Sequence, residues 1–201
     1  MRTYRLPLAA LALTLILAPS LCAGVGARLG FLVPQGDIKD LAKTGWRAEV
    51  TADLNMFRLP FLSTVVSVGA MDFAEKKSDY TADTQTYTQE SHIALTGGGV
   101  GLRLQPPAAA ISPFAEAMLR LASIEQEYKD GAGNSRLDSR TKFGYQFNAG
   151  LQFPLAPRVG LEVGGSYMSF FNNKYLHHGV EREIDLKAFG AFVGLDVGIG
   201  L

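Results

Sequence analysis

The chain has 201 residues, 19 Lys+Arg balanced by 19 Asp+Glu, and only 19% charged residues. That length suffices for one domain with its own core. The charge balance gives no basic excess for nucleic acid and no acidic tail, and the 22 glycines suit turns and close-packed β-structure better than helices.

Met1–Ala23 reads as an export leader. Arg2 and Arg5 form a basic start, Leu6–Ala18 a short apolar run, and Pro19-Ser20 a break followed by small residues. Cleavage is expected after Ala23, with Ala27 as the second choice. The apolar run is shorter than the ~20 residues of a spanning helix. Leu21 before Cys22 does not fit a lipoprotein signal. Cleavage after Ala23 removes the one cysteine, so the mature chain needs no disulfide. Residues 24–201 are then a single barrel domain.

The mature chain alternates apolar and polar residues with period two, the pattern of a strand with one apolar face. Val25–Val33 is the first predicted strand, with Arg28 on its polar side, and Pro34–Thr44 a polar loop. Trp46–Phe57 is the second: Trp46, Ala48, Val50, Ala52, Leu54 and Met56 alternate with Arg47, Glu49, Thr51, Asp53 and Asn55. Arg58–Phe61 is a turn. Leu62–Ala70 is the third strand, and the polar stretch Met71–Glu90 carries Thr and Tyr that let strands run on into it. Ser91–Gln105 is the fourth. Its apolar residues change parity across Thr96–Gly99, which predicts a one-residue bulge. Pro113–Tyr128 is the fifth, although Ala, Glu, Met and Leu also suit a helix there. Lys142–Phe153 is the sixth and the most regular. Arg158–Phe170 is the seventh. Glu183–Leu201 is the eighth, with a parity switch predicted near Ala188–Ala191.

Eight such strands make either a soluble barrel, with its aromatic face turned inward on a greasy ligand as in lipocalins, or a membrane barrel with that face outward. Three features favour the membrane. Short proline-containing turns alternate with longer polar loops. Aromatics gather near strand ends, with Trp46, Phe143, Tyr145 and Tyr167 at the loop end and Phe57, Phe61, Phe114 and Phe153 at the turn end. The polar face carries charges of both signs, which a narrow lumen has to pair. The expected interior network is Arg28, Arg47, Glu49, Asp53, Arg103, Glu116, Arg120, Glu162, Lys187 and Asp196. Arg120 is expected near mid-height, paired with Glu116 or Glu162, and Gly144, Gly150, Gly160 and Gly164 are expected to make room for the large side chains.

The stretch Gly26–Asp37 (G-A-R-L-G-F-L-V-P-Q-G-D), followed by Gly45-Trp46, resembles the opening of outer-membrane beta-barrel domains. The mature chain as a whole resembles the small eight-stranded outer-membrane barrels of Gram-negative bacteria, the OmpA/OmpX-like architecture. The resemblance implies an all-β, antiparallel, up-and-down transmembrane barrel with short periplasmic turns and long extracellular loops. It also implies the outer membrane as location, membrane lipid and lipopolysaccharide as surroundings, the barrel-insertion machinery as a partner, and a monomeric state. Such barrels often end in an aromatic residue, where this chain has Leu201.

Catalytic signals are weak. His92 follows Ser91, and His177, His178 and Glu181 lie close together, but no set has the spacing of a closed metal site. Gly97-Gly98-Gly99 lacks the G-K-[ST] of a phosphate loop. No enzyme, cofactor or metal is expected. The expected role is structural, adhesive or interactive through the loops, whose cations Lys39, Lys43, Lys76, Lys77, Lys129, Arg136, Arg140, Lys174 and Arg182 either pair with lipopolysaccharide phosphates or simply keep the loops soluble. A lipocalin-like carrier and a lipid A-modifying enzyme are the alternatives.

Overall fold

The structure is a computed structural model that describes residues 22–82, 85–106, 111–130, 135–177 and 180–199. Most of the predicted leader, Pro107, His178 and Leu201 lie outside the described residues. Eight antiparallel strands close into a barrel in chain order. They are β1 (Cys22–Gln35), β2 (Ala42–Leu59), β3 (Leu62–Ala82), β4 (Gln85–Leu104), β5 (Ser112–Asp130), β6 (Ser135–Ala156), β7 (Val159–His177) and β8 (Val180–Gly198). Closure pairs β1 with β8 from Gly24↔Gly198 to Gln35↔Lys187. No sheet edge is left open, the condition for strands to cross a bilayer.

The strands outrun their sequence predictions, chiefly at the loop end. Met71–Glu90 becomes a hairpin continuing β3 and β4, paired as far as Ala82↔Gln85, so it adds length to two strands and no ninth strand. The predicted loop Pro34–Thr44 is largely structured. Gly36, at φ 64°, starts a 3-10 helix, η1, over Gly36–Asp40. That positive φ is one glycine adopts without strain.

Parity decides which side chains face in. Along β5, Ala115, Ala117, Leu119 and Leu121 are exposed, whereas Glu116, Met118, Arg120 and Ala122 are buried. Phe143, Phe147 and Leu151 of β6 are exposed, and Gln146 and Asn148 buried. Neither predicted irregularity occurs. The β3–β4 ladder runs unbroken through Gly97-Gly98-Gly99 and slips only between Phe73 and Lys76. The β8 pairing runs unbroken through Ala188–Ala191. In both places the backbone stays in register and the composition of the lumen changes.

The lumen has two layers. At the turn end it is charged. At the loop end it is an apolar core of Leu32, Met71, Phe73, Ile93, Leu95, Ile124, Met168, Phe170 and Leu186. Ile38 and Leu41, on and beside η1, close the top of that core. Lys76 of β3 holds η1 in place, donating to the Lys39 carbonyl at 2.6 Å and lying 3.9 Å from Asp40.

The outer surface exposes many large apolar side chains, with Leu29, Leu119 and Phe143 the most exposed among them. Tyr145, Phe147, Tyr167, Phe171 and Phe189 form a continuous aromatic cluster across β6, β7 and β8, with ring centroids 4.8–6.0 Å apart. Phe31 and its register partner Trp46 continue the band across β1 and β2. Water would not tolerate such a surface, whereas a bilayer places aromatics at its interface. Val193 lies about midway between this band and the turn end, so Val193→Lys should destabilise the folded barrel by roughly 2–4 kcal/mol and Phe143→Lys by about 0–1 kcal/mol. Denaturant titration in lipid vesicles measures both, and equal costs would contradict this depth assignment.

Candidate functional site

Among the described residues, the charged layer is the main concentration of polar chemistry inside the barrel. Arg28 of β1 donates two hydrogen bonds to Glu116 of β5, at 2.7 and 2.5 Å, and a third from Nε to Glu162 of β7 at 2.7 Å. Arg103 of β4 lies 2.6 Å from Glu162, 3.3 Å from Glu116 and 3.6 Å from Asp53 of β2. Asn148 of β6 donates to Glu116 at 2.8 Å and receives a bond from Gln146 at 2.9 Å. Glu116 thus collects two arginines and an amide. That density of donors offsets the cost of burying the carboxyl group.

Above this cluster, Arg120 of β5 pairs with Glu49 of β2 and donates to Ser67 of β3 at 3.0 Å. Arg47 lies 4.0 Å from Glu49, with its guanidinium 4.6 Å from the Phe192 ring centroid. Among the described residues its nitrogens make no hydrogen bond, so the ring face is its principal close partner, a cation–π contact. Arg28 and Arg103 also lie over Phe114, at 5.7 and 4.4 Å.

Nine of the ten residues expected inside therefore face the lumen: Arg28, Arg47, Glu49, Asp53, Arg103, Glu116, Arg120, Glu162 and Asp196. Lys187 does not. Its odd position in the unbroken β8 register points it outward, where its side chain is 42% exposed and 3.3 Å from Asp185. Pairing also differs from the sequence expectation. The bidentate partner of Glu116 is Arg28, and Arg120 takes Glu49. Phe114, expected in the turn-end aromatic band, is buried inside as the platform for two arginines. The glycines make room, though for other neighbours than expected. A Cβ on Gly150 or Gly164 would meet Phe114 or Phe192, and one on Gly144 or Gly160 would meet Phe170 or Gln152. Gly99 and Gly194 are the positions that clear Arg120 and Arg28.

Ser91 and His92 form no catalytic pair. Ser91 faces inward, bonded by Gln126 at 3.4 Å. His92 faces outward, 2.7 Å from Asp72. Adjacent residues of a strand point to opposite faces, so Ser91 and His92 cannot share a proton. The side chain of His177 and all of His178 lie outside the described residues. Among those residues no three His, Cys, Asp or Glu converge as a metal site.

Comparison with known proteins agrees with the closed β-barrel. The outer membrane protein beta-barrel domain matches residues 8–197. The chain belongs to that family. Similar solved structures agree on the fold. Neisserial surface protein A shares 16% identity at a TM-score of 0.54, over 87% of this chain and 95% of that one. A major outer membrane protein from Thermus thermophilus shares 12% at 0.56, over 88% and 99%. OprG from Pseudomonas aeruginosa shares 10% at 0.52, over 89% and 96%. No curated protein matches the chain. Membership in this family makes the chain an outer-membrane barrel and replaces the lipocalin-like alternative.

Glu116 joins Arg28, Arg103 and Asn148, so Glu116→Gln should cost about 3–5 kcal/mol of unfolding free energy by leaving buried arginines unpaired. Lys187→Ala should stay within about 0.5 kcal/mol. Unfolding in urea from lipid vesicles distinguishes them, and comparable losses would contradict the placement of Lys187.

Proposed function

We propose that this is a non-enzymatic outer-membrane barrel, sealed through its lumen, that displays its loop-end hairpins as an interaction surface. The observation that carries the reading is the filling of the lumen by two unlike layers: paired charges toward the periplasm and a packed apolar core toward the outside. Eight strands enclose only enough space for side chains, and the side chains named above occupy it. The strands are 18–22 residues long from β2 onward, about twice the ~9–11 needed to cross. The surplus continues beyond the aromatic band as paired, charged hairpins. On them Lys77 pairs with Glu90, and Thr88 donates to Asp79 at 2.8 Å. Such ladders hold the surface in shape, where a flexible loop would pay ordering entropy on binding.

The same reading includes export through removal of the leader, assembly by the barrel-insertion machinery, a monomeric state, and lysines such as Lys39, Lys43 and Lys76 facing lipopolysaccharide phosphates. Reconstituted into a planar bilayer, the wild-type protein should show no stable conductance steps, while Glu49→Ala or Arg120→Ala should leak. Porin-sized steps from the wild type would refute the sealed lumen. Replacing residues 79–88 by a two-residue turn, which keeps Lys76 and its hold on η1, should leave barrel stability within about 1 kcal/mol and weaken surface binding, for which adsorption to vesicles containing lipopolysaccharide is the assay. Unchanged adsorption would move the binding surface elsewhere.

A further inference from the structure

Among the described residues, the inward-facing side chains of the charged layer do not balance: four guanidiniums, those of Arg28, Arg47, Arg103 and Arg120, face five carboxyl groups, those of Glu49, Asp53, Glu116, Glu162 and Asp196, and the further cation at the mouth, Arg158, is exposed on the β6–β7 turn. The surplus sits at the turn-end mouth, around a cavity of about 480 Å³ lined by Gly24, Asp53, Gln105, Gln152, Arg158 and Asp196. Among the described residues, Asp53 and Asp196 each hold one buried carboxylate oxygen with no hydrogen-bond partner. The nearest interior cation, Arg103, is 3.6 Å from Asp53 and is held more closely by Glu162 and Glu116.

Gly24 stands between these two acids. Its register partner on β2 is Asp53, and an added Cβ would lie 3.0 and 3.3 Å from the two carboxylate oxygens of Asp196. Regular pairing also begins here. The β1–β8 ladder starts at Gly24↔Gly198, and the β1–β2 register slips between Cys22 and Gly24. Before Gly24 the β1–β2 pairing resumes only after this slip, at Cys22↔Leu54, and the β1–β8 ladder does not extend.

We propose that cleavage of the Ala23–Gly24 bond creates an α-ammonium at Gly24 that serves as the counter-ion of Asp53 and Asp196, completing the charge balance of the barrel floor. The step is a hydrolysis by a signal peptidase. One water adds across the amide, Ala23 leaves with the new carboxyl group, and the acid proton passes to the Gly24 nitrogen, giving a carboxylate and an ammonium. The ammonium brings three donors to a place where two carboxylate oxygens lack partners. It also sits in a partly enclosed mouth, where a charge pair is worth more than on an open surface. The groups facing it are Asp53 on β2, Asp196 on β8, Arg158 on the β6–β7 turn, and more distantly Glu162 and Arg103. Processing would then be a step in barrel stabilisation as well as in export. The inference rests on the leader proposed above, and the mature mass tests that leader separately from the ion pair.

The test uses the mature protein purified from outer membranes. Intact mass should place its first residue at Gly24; a mature chain beginning elsewhere overturns the proposal. The α-amine is then labelled with a limiting amine-reactive reagent at neutral pH, in the folded and the heat-unfolded protein, with exposed lysines as internal reference. An amine held protonated by carboxylates should react at least about tenfold more slowly when folded. Asp53→Asn with Asp196→Asn should remove most of that protection. Inserting Asn-Gln-Thr between Ala23 and Gly24, with intact mass confirming that the added residues are retained, should do the same by moving the amine out of the mouth, without touching either acid, and serves if the double variant does not fold. Equal labelling of the folded and unfolded wild type, or protection that survives the insertion, refutes the pairing.

Discussion

Ionised side chains inside a narrow lumen place the strictest demand on this structure. Each buried charge costs several kcal/mol unless its partners are close and correctly oriented. Glu116 meets that demand by taking Arg28 face-on, Arg103 at its edge and Asn148 beside it. Because Arg28, Arg103, Glu116 and Glu162 stand on β1, β4, β5 and β7, the cluster ties strands on opposite sides of the barrel. A one-residue slip of any of them would carry its charged residue to the lipid face. The network therefore specifies register as well as filling space.

The upper lumen solves the filling problem differently. Phe73, Ile93, Met168, Phe170 and Leu186 are fully buried there, and η1 lays Ile38 and Leu41 over them. Phe192 and Arg47 meet where the two layers join, with the ring beneath one cation and beside another. An aromatic face is a suitable boundary, since it attracts a guanidinium on one side and packs as hydrocarbon on its edges.

On the outside, apolar ridges and an aromatic band leave the barrel's location to the bilayer, while the ladders continue past that band. A barrel of this kind is a scaffold whose chemistry is carried by what is attached to it. Here the attached parts are the loop-end hairpins, with alternating charges such as Lys77 and Glu90, and the outward pair of His92 and Asp72.

Much of this was legible from residue order. Period-two alternation in 142–153 and 46–57 depends only on the geometry of a strand, so the inward side chains of β2, β5 and β6 could be read directly, as could eight strands and a charged lumen. The readings that failed share a cause. Alternation separates faces only where they differ in polarity, so once the upper lumen turns apolar, inside and outside look alike. That produced the false bulge at Gly97–Gly99, the false switch near Ala188 and the inward assignment of Lys187, and it hid the core topped by η1. Phe114 was misread because an aromatic near a strand end fits an interface band as well as a platform under arginines. Sequence alone determined that the chain makes two-faced strands with acids and bases on one face. Which acid meets which base, and which residues share a height, was decided only by the closed barrel, because strand tilt and stagger set the heights of side chains that no local pattern records.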